Sequence, residues 1–320
     1  MNDRLAEIPV FFSIDNGYAP FLSVALYSAI QHSSPDRRYR AIVLYQELSE
    51  ENIRRLSALA TDRFAVEFVP MQHGLESISD RMSNRLRCDY FTLTIYFRLF
   101  IPAMFPRYDK AIYIDSDVAV TGDLAELFDT DIGDNFIGAC VDRSVAEVPS
   151  LVHYMENAVG VDKNEYINSG VLLMNLKRLR EAELDTRFLD LLNTYHVDCI
   201  APDQDYLNAM CNGKIHYLPD TWDAMPNEHQ PPMADPKIIH YNLFSKPWCY
   251  DGIQYGETFW EYAALSGYAG EIRAYKDSYS EEQKQSDVQC LERLVRRGGE
   301  MPDQEITFKK LFESGVSIRL

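Results

Sequence analysis

The stretch AIYIDSDVAV, residues 111–120, sets two carboxylates two positions apart at the end of an apolar run. On an extended segment, residues i and i+2 point to the same side. Asp115 and Asp117 therefore converge on one point, with Ser116 turned away. Two adjacent anions repel unless a cation joins them, and a divalent metal with oxygen ligands is the natural partner. A solvated turn is the plain alternative, because an Asp-x-Asp pair arises easily by chance among 49 acidic residues. The apolar flanks favour the metal, since burying two unpaired carboxylates is costly.

Other polar groups sit at comparable places. Asp15 follows the apolar run IPVFFSI, and Asn168-Ser169-Gly170 precedes VLLMNL. Asp203, Gln204 and Asp205 open PDQDYLN, and His240 and Lys246 lie in IIHYNLFSKPW. Arg98 is the lone charge within YFTLTIYFRLFIPAMF. Each has a structural reading of its own: a turn former at Asp15, a β-turn at Asn168, an N-cap at Asp203, a core histidine at His240, a surface charge at Lys246.

The elements that must position these groups follow from apolar periodicity. IPVFFSI (8–14), YRAIVLYQ, AVEFVPM, KAIYI, FIGACVD (136–142), VLLMNL (171–176) and KIIHYN (237–242) read as strands. YAPFLSVALYSAIQHS reads as a helix with Pro20 in its first turn, where the missing N–H costs nothing. SEENIRRLSALA reads as a second helix, with Ser49 as N-cap and acids in its first turn. Most of 90–105, then 178–196 and 203–211, read as further helices, and DTWDAMPNEHQPPMADP reads as loop. Near-continuous apolar strands alternating with helices predict a parallel sheet covered on both faces. In such sheets ligands bind beyond the carboxyl ends of the strands, where Asp115 and Asp117 sit.

The charge balance, 31 basic against 49 acidic residues for a net −18, excludes a nonspecific nucleic-acid binder. The first residues lack the basic start and long apolar core of a signal peptide, and no apolar stretch nears the ~18–20 residues that span a bilayer. Six cysteines at 88, 140, 199, 211, 249 and 290 form no CxxC pair, which points to free thiols in a reducing cytosol.

Six stretches taken in order, SIDNGYAPFLSVA, TIYFRLFIP, AIYIDSDVAVTGDLAELFDTDIGDNFIGACVD, YINSGVLLMNL, PDQDYLN and HYNLFSKPW, resemble glycosyltransferase family 8 from about residue 8 to residue 262. That family holds glycogenins and bacterial α-galactosyl- and α-glucosyltransferases of cell-surface glycans. The resemblance implies an α/β GT-A fold, a Rossmann-like nucleotide-diphospho-sugar transferase architecture with a mainly parallel central sheet. It implies a catalytic domain over 1–270 and a small C-terminal helical appendage over 271–320.

The same resemblance implies a retaining hexosyltransferase that moves galactose or glucose from a UDP-hexose to a glycan or lipid-linked sugar acceptor. Asp115-Ser116-Asp117 becomes the motif that holds Mn²⁺, or Mg²⁺, on the donor diphosphate. Asp115, Asp117 and His240 become the metal ligands, and Lys246 the diphosphate cation. Asp15 and Tyr18 hold the uridine end, and Arg98 lies between nucleotide and sugar. Asp142, Asn168, Asp203 and Gln204 line the sugar and the reaction centre. A UDP-sugar hydrolase and a non-catalytic nucleotide-sugar binder are the alternatives. Two departures from the family pattern stand out: Asn16-Gly17 where the family often has Asp and Asn, and Leu243 where it often has glycine.

From about residue 270 the chain turns polar and near neutral. CLERLVRRGG sets Leu291, Leu294 and Val295 at helical spacing beside Arg293, Arg296 and Arg297. The expected role is a helix docked on the catalytic part with its arginines in water and at most weak membrane contact, because stable attachment takes a larger apolar face.

Overall fold

The structure is a computed structural model that describes residues 7–71 and 93–320. In chain order it runs β1 (Glu7–Ile14), α1 (Ala19–Gln31), β2 (Arg38–Tyr45), α2 (Glu50–Ser57), β3 (Phe64–Pro70), α3 (Phe97–Met104), β4 (Ala111–Ile114) and β5 (Val118–Val120). There follow α4 (Leu124–Asp129), β6 (Ile137–Val141), α5 (Pro149–Tyr154), β7 (Ile167–Met174), α6 (Leu176–Glu181), α7 (Leu184–Tyr195), α8 (Pro202–Met210), β8 (Ile215–Tyr217) and β9 (Ile238–His240). The chain closes with α9 (Gly256–Ala263), α10 (Ala269–Ser278), α11 (Glu281–Glu300) and α12 (Phe308–Glu313).

Seven strands form one sheet in the order β3-β2-β1-β4-β7-β6-β8. Strand β1 pairs in parallel with both β2 and β4, so the order reverses direction at the β1/β4 boundary. A crevice opens at such a switch point beyond the carboxyl ends. Asp15 directly follows β1 and Asp115 directly follows β4, so both lie there. Alternate residues of each strand face opposite cores. Phe11 and Tyr113 enter a core with α3, α5–α8 and α11–α12, whereas Val10, Phe12, Ile112 and Ile114 enter one with α1, α4, α9 and α10. This double burial is why the strands read as continuous apolar runs.

The sheet is not wholly parallel. Strand β7 runs antiparallel to β4 and to β6. It also starts at Ile167, so Asn168, Ser169 and Gly170 lie within the strand rather than in a turn before it. The helix expected over 178–196 is two helices, broken where Glu183 takes φ 55. The expected helix over 90–105 is, from Leu93 on, a 3-10 turn (Leu93–Tyr96) leading into α3; residues 90–92 lie outside the described residues. Ser49 caps α2 as read, accepting from Asn52 N at 3.2 Å.

Helix α11 is docked on the protein. Leu294 is 3% exposed in the same core as α5, and Arg297 pairs with Asp198 at 2.9 Å. Leu291 stays 42% exposed. No helix among the described residues is long and apolar enough to cross a membrane. Leu294→Ala should cost about 2–4 kcal/mol of stability in denaturant unfolding, the range for emptying a buried leucine site. Leu291→Ala should stay within ~0.5 kcal/mol; equal losses at the two positions would mean that the helix docks on a different face.

Candidate active site

The site begins with the end of β4. Asp115 N donates to Gly170 O at 2.7 Å, extending the β4–β7 pairing by one residue. Because β7 is antiparallel, its start lies level with the carboxyl ends of β4 and β6. A parallel strand would have carried Asn168, Ser169 and Gly170 to the opposite edge of the sheet. After Ser116, which is buried, the chain enters β5, which pairs with β9 in a two-stranded ribbon. Val118 lies opposite His240 in that register, and Tyr241 N donates to Asp117 O at 2.9 Å. The ribbon thus brings a histidine from 123 residues downstream beside Asp117.

The two carboxylates are treated differently. Asp115 Oδ1 accepts from Arg98 Nη2 and from Tyr113 Oη, both at 2.8 Å. That leaves Oδ2 toward His240 Nε2, at 3.9 Å. Asp117 pairs with Lys246 through Oδ2. Its Oδ1 lies 3.3 Å from His240 Nε2 without the alignment of a hydrogen bond, and it is buried with no hydrogen-bond partner. Burial alone would raise the Asp117 carboxyl, but Lys246 and His240 outweigh it and hold the group well below the usual carboxylate range.

His240 is oriented from behind. Its Nδ1 lies 2.9 Å from Asp223 Oδ1, a carboxylate with no exposed side-chain surface. A carboxylate there accepts a hydrogen bond from Nδ1–H and turns Nε2 toward the aspartate pair. Burial works against a charged ring, yet Asp223 and Asp117 prevail and push His240 up to about 10.

One ligand atom from each of Asp115, Asp117 and His240 can be chosen so that all lie within 4.8 Å of one another. Two carboxylates and an imidazole, one oxygen of them buried and unpartnered, form a donor set that fits a divalent cation accepting mixed O and N ligands. Gly170 leaves room for it. A Cβ there would sit 2.3 Å from His240 Cε1 and 2.9 Å from Asp115 Oδ2.

Arg98 links this centre to a second polar layer. It is 3% exposed, and its guanidinium reaches Ser169 O at 2.5 Å, Ser169 Oγ at 3.0 Å and Asp203 Oδ2 at 3.1 Å, besides Asp115. Its face lies 4.3 Å from the Tyr113 ring centroid. Asp203 also accepts from Ser169 Oγ at 2.9 Å; its carboxyl is raised, because burial outweighs Arg98. Gln204 accepts from Ser169 N at 3.1 Å and donates to Asp142 Oδ2 at 2.9 Å, and Asn168 Nδ2 donates to that same oxygen at 3.2 Å. Asp142, Asn168, Asp203 and Gln204 therefore form one connected network beside the aspartate pair. On the other flank, Asp15 accepts from Tyr18 N at 3.1 Å in the turn after β1.

Several participants escaped the sequence reading. Asp223 lies in the stretch read as loop, where a 3-10 turn (Asp220–Asp223) buries it. Its apolar neighbours Trp222 and Ala224, both buried, signal burial there but not a partner. Asn208 pins the start of β7 to α8 by exchanging two hydrogen bonds with the Ile167 backbone, at 2.8 and 2.9 Å. Asp205, read with its neighbours as a helix start, accepts from Tyr154, Tyr166 and the backbone of Ile200 and Ala201. Of the two departures, Asn16 is engaged with Ser49 N at 2.9 Å and Asn52 Nδ2 at 3.0 Å, and so secures α2. Leu243 takes φ 48, the left-handed conformation that glycine adopts freely.

The family model described as Glycosyl transferase family 8 matches residues 9–252. Among curated proteins, Glycosyltransferase GlyE of Streptococcus pneumoniae is 27% identical over 280 residues, covering 82% of this chain and 62% of the relative. A lipopolysaccharide 1,2-glucosyltransferase of Escherichia coli is 25% identical over 262 residues, covering 77% and 74%. The chain also spans 64% of the length of a Haemophilus influenzae relative that is 28% identical over 220 residues. A solved structure of galactosyltransferase LgtC, in complex with donor and acceptor sugar analogs, superimposes with a TM-score of 0.67 at 27% identity, covering 81% of this chain and 96% of that one.

Gly170→Ala should weaken divalent-cation binding about tenfold or more, the usual consequence of displacing a metal-site histidine. Titration of Mn²⁺ followed by electron paramagnetic resonance checks it. Undiminished affinity would show that the cation sits elsewhere.

Proposed function

Since this chain belongs to glycosyl transferase family 8 and has the GT-A fold, we propose that it is a hexosyltransferase that moves galactose or glucose from a UDP-sugar to a glycan or glycolipid acceptor, with retention at the anomeric carbon. The observation that carries the reading is the convergence of Asp115, Asp117 and His240, with a buried Asp117 oxygen that has no hydrogen-bond partner, next to a connected polar network. Residues 1–270 are the catalytic unit in this reading, and 271–320 a helical appendage packed on it.

Asp115, Asp117 and His240 would hold Mn²⁺, with Mg²⁺ as a weaker substitute. A cation held by these residues would supply Lewis-acid stabilisation of negative charge on a diphosphate leaving group. To serve as a ligand His240 would have to offer Nε2 unprotonated, since a proton and a cation compete for the same lone pair. Lys246, paired with Asp117 here, would turn to the diphosphate as a flexible point charge. Asp15 and Tyr18 would take the uridine. Arg98 joins Asp115 and Asp203 and would lie between nucleotide and sugar.

Gln204 would face the anomeric carbon opposite the leaving group. An amide oxygen is a weak nucleophile, and this one already accepts from Ser169 N. A lone pair remains to stabilise passing positive charge. That chemistry supports attack of the acceptor hydroxyl from the side of the leaving group, with a phosphate oxygen of departing UDP taking the hydroxyl proton. Asp142 and Asn168 would bind sugar hydroxyls, held in place by their shared hydrogen bond.

EDTA should abolish sugar transfer and Mn²⁺ should restore it. Asp115→Asn or Asp117→Asn should lower turnover about 10²-fold or more, as expected when preorganised charge stabilisation of a leaving group is lost. The assay follows UDP release with and without sugar acceptors. Full transfer in EDTA would overturn the reading, and UDP release indifferent to every acceptor would replace it with hydrolysis.

A further inference from the structure

Lys246 opens a single helical turn. Cys249 N and Tyr250 N both donate to Lys246 O, at 2.9 and 3.0 Å. The end of such a turn leaves carbonyls without intrahelical partners. Here they are met by a side chain from far along the sequence. Lys276 Nζ, on α10, donates to Pro247 O at 3.1 Å and Tyr250 O at 3.2 Å, and pairs with Asp251 at 2.7 Å. A lysine on terminal carbonyls is a C-cap supplied in trans. Helix α11 adds a second hold. Asp287 Oδ2 accepts from Tyr250 Oη at 2.5 Å and from Tyr279 Oη at 2.7 Å.

On the other side of Lys246 the turn is held by backbone hydrogen bonds, Lys246 N donating to Phe244 O at 2.7 Å and Ser245 N to Asn242 O at 3.1 Å. The chain leaves β9 through Leu243 at φ 48, a left-handed conformation that is strained for a non-glycine residue. A strained approach releases itself if the far end is let go. Lys246 carries a long, rotatable stem, so its ammonium reaches a fixed point only if its backbone is fixed.

We propose that Lys276 and Asp287 are positioning residues for Lys246, so that the C-terminal helices complete the diphosphate half of the donor site. The inference rests on the reading of Lys246 as the diphosphate ligand. It makes 271–320 a working part of donor binding, although it contributes no group that touches the donor.

Calorimetry on the full chain with UDP and with uridine, each in the presence of Mn²⁺, tests it. Lys276→Met keeps the stem and removes the ammonium. It should weaken UDP binding about tenfold, in line with losing charge-assisted hydrogen bonds that place a ligand group. Uridine has no phosphate for Lys246 to meet and should bind as before. Lys276→Arg should recover most of the UDP affinity, and Asp287→Asn should move it in the same direction as Lys276→Met by a smaller factor. Unchanged UDP affinity in Lys276→Met, alongside a clear loss in Lys246→Ala, overturns the inference and leaves the donor-site reading standing. Parallel losses for UDP and uridine overturn it too, since they mark general damage. If Lys246→Ala binds UDP as well as the unmodified chain, the donor-site reading of Lys246 falls and the inference falls with it.

Discussion

Holding several carboxylates inside one low-dielectric pocket is the constraint around which this structure is arranged. Asp115, Asp117, Asp142, Asp203 and Asp223 all lie within a few hydrogen bonds of each other, and four of the five are buried or nearly so. Uncompensated, that much charge would cost several kcal/mol per group. Lys246 and His240 offset Asp117, His240 offsets Asp223, and Arg98 offsets Asp115 and Asp203. Its guanidinium joins α3 to the end of β4, the start of β7 and the first turn of α8. Removing it would leave Asp115 and Asp203 facing each other with no positive charge between them. A lysine would not substitute, since a single ammonium cannot address three separate partners in one plane.

The topology serves the same end. Four of the sheet's six strand pairings are parallel, and the two that are not both involve β7. This one reversal places the start of β7 among the carboxyl ends of its neighbours. Asn168, Ser169 and Gly170 can then serve Asp142, Arg98 and the space beside His240. The small β5–β9 ribbon does for Asp117 and His240 what the main sheet does for Asp115 and Gly170: backbone register sets side-chain distance. Both devices use rigid paired strands rather than loops, which suits a site that must hold charge in a fixed arrangement before its ligand arrives.

The C-terminal helices are continuous with this design. Leu294, Met301, Phe308 and Ile318 share a core with α3 and α8, and Lys276 and Asp287 reach back to the turn that carries Lys246. A polar, near-neutral stretch of sequence thus contributes both apolar packing and two well-directed polar contacts.

The layered α/β architecture was legible in the order of residues alone, because strands buried on both faces must be apolar throughout and helices between them must be amphipathic. The sequence also marked Asp115 and Asp117 as a candidate cation site, because paired carboxylates in an apolar context favour a cation, and an ordered set of motifs placed His240, Lys246, Asp203 and Gln204 in their company. What it left open was direction and distance. Nothing in VLLMNL says that β7 runs antiparallel, since apolar periodicity is identical either way. Nothing in TWDA marks Asp223 as the partner of His240, since its role exists only once Ala224 bridges to Ile239. Leu243 looked like a departure from a glycine position, yet the backbone takes the glycine conformation regardless, because the pairing of β9 and the turn at Lys246 fix both of its neighbours. Tertiary structure decided these points because each is a relation between segments far apart in the chain, settled by packing and register rather than by the character of any one segment.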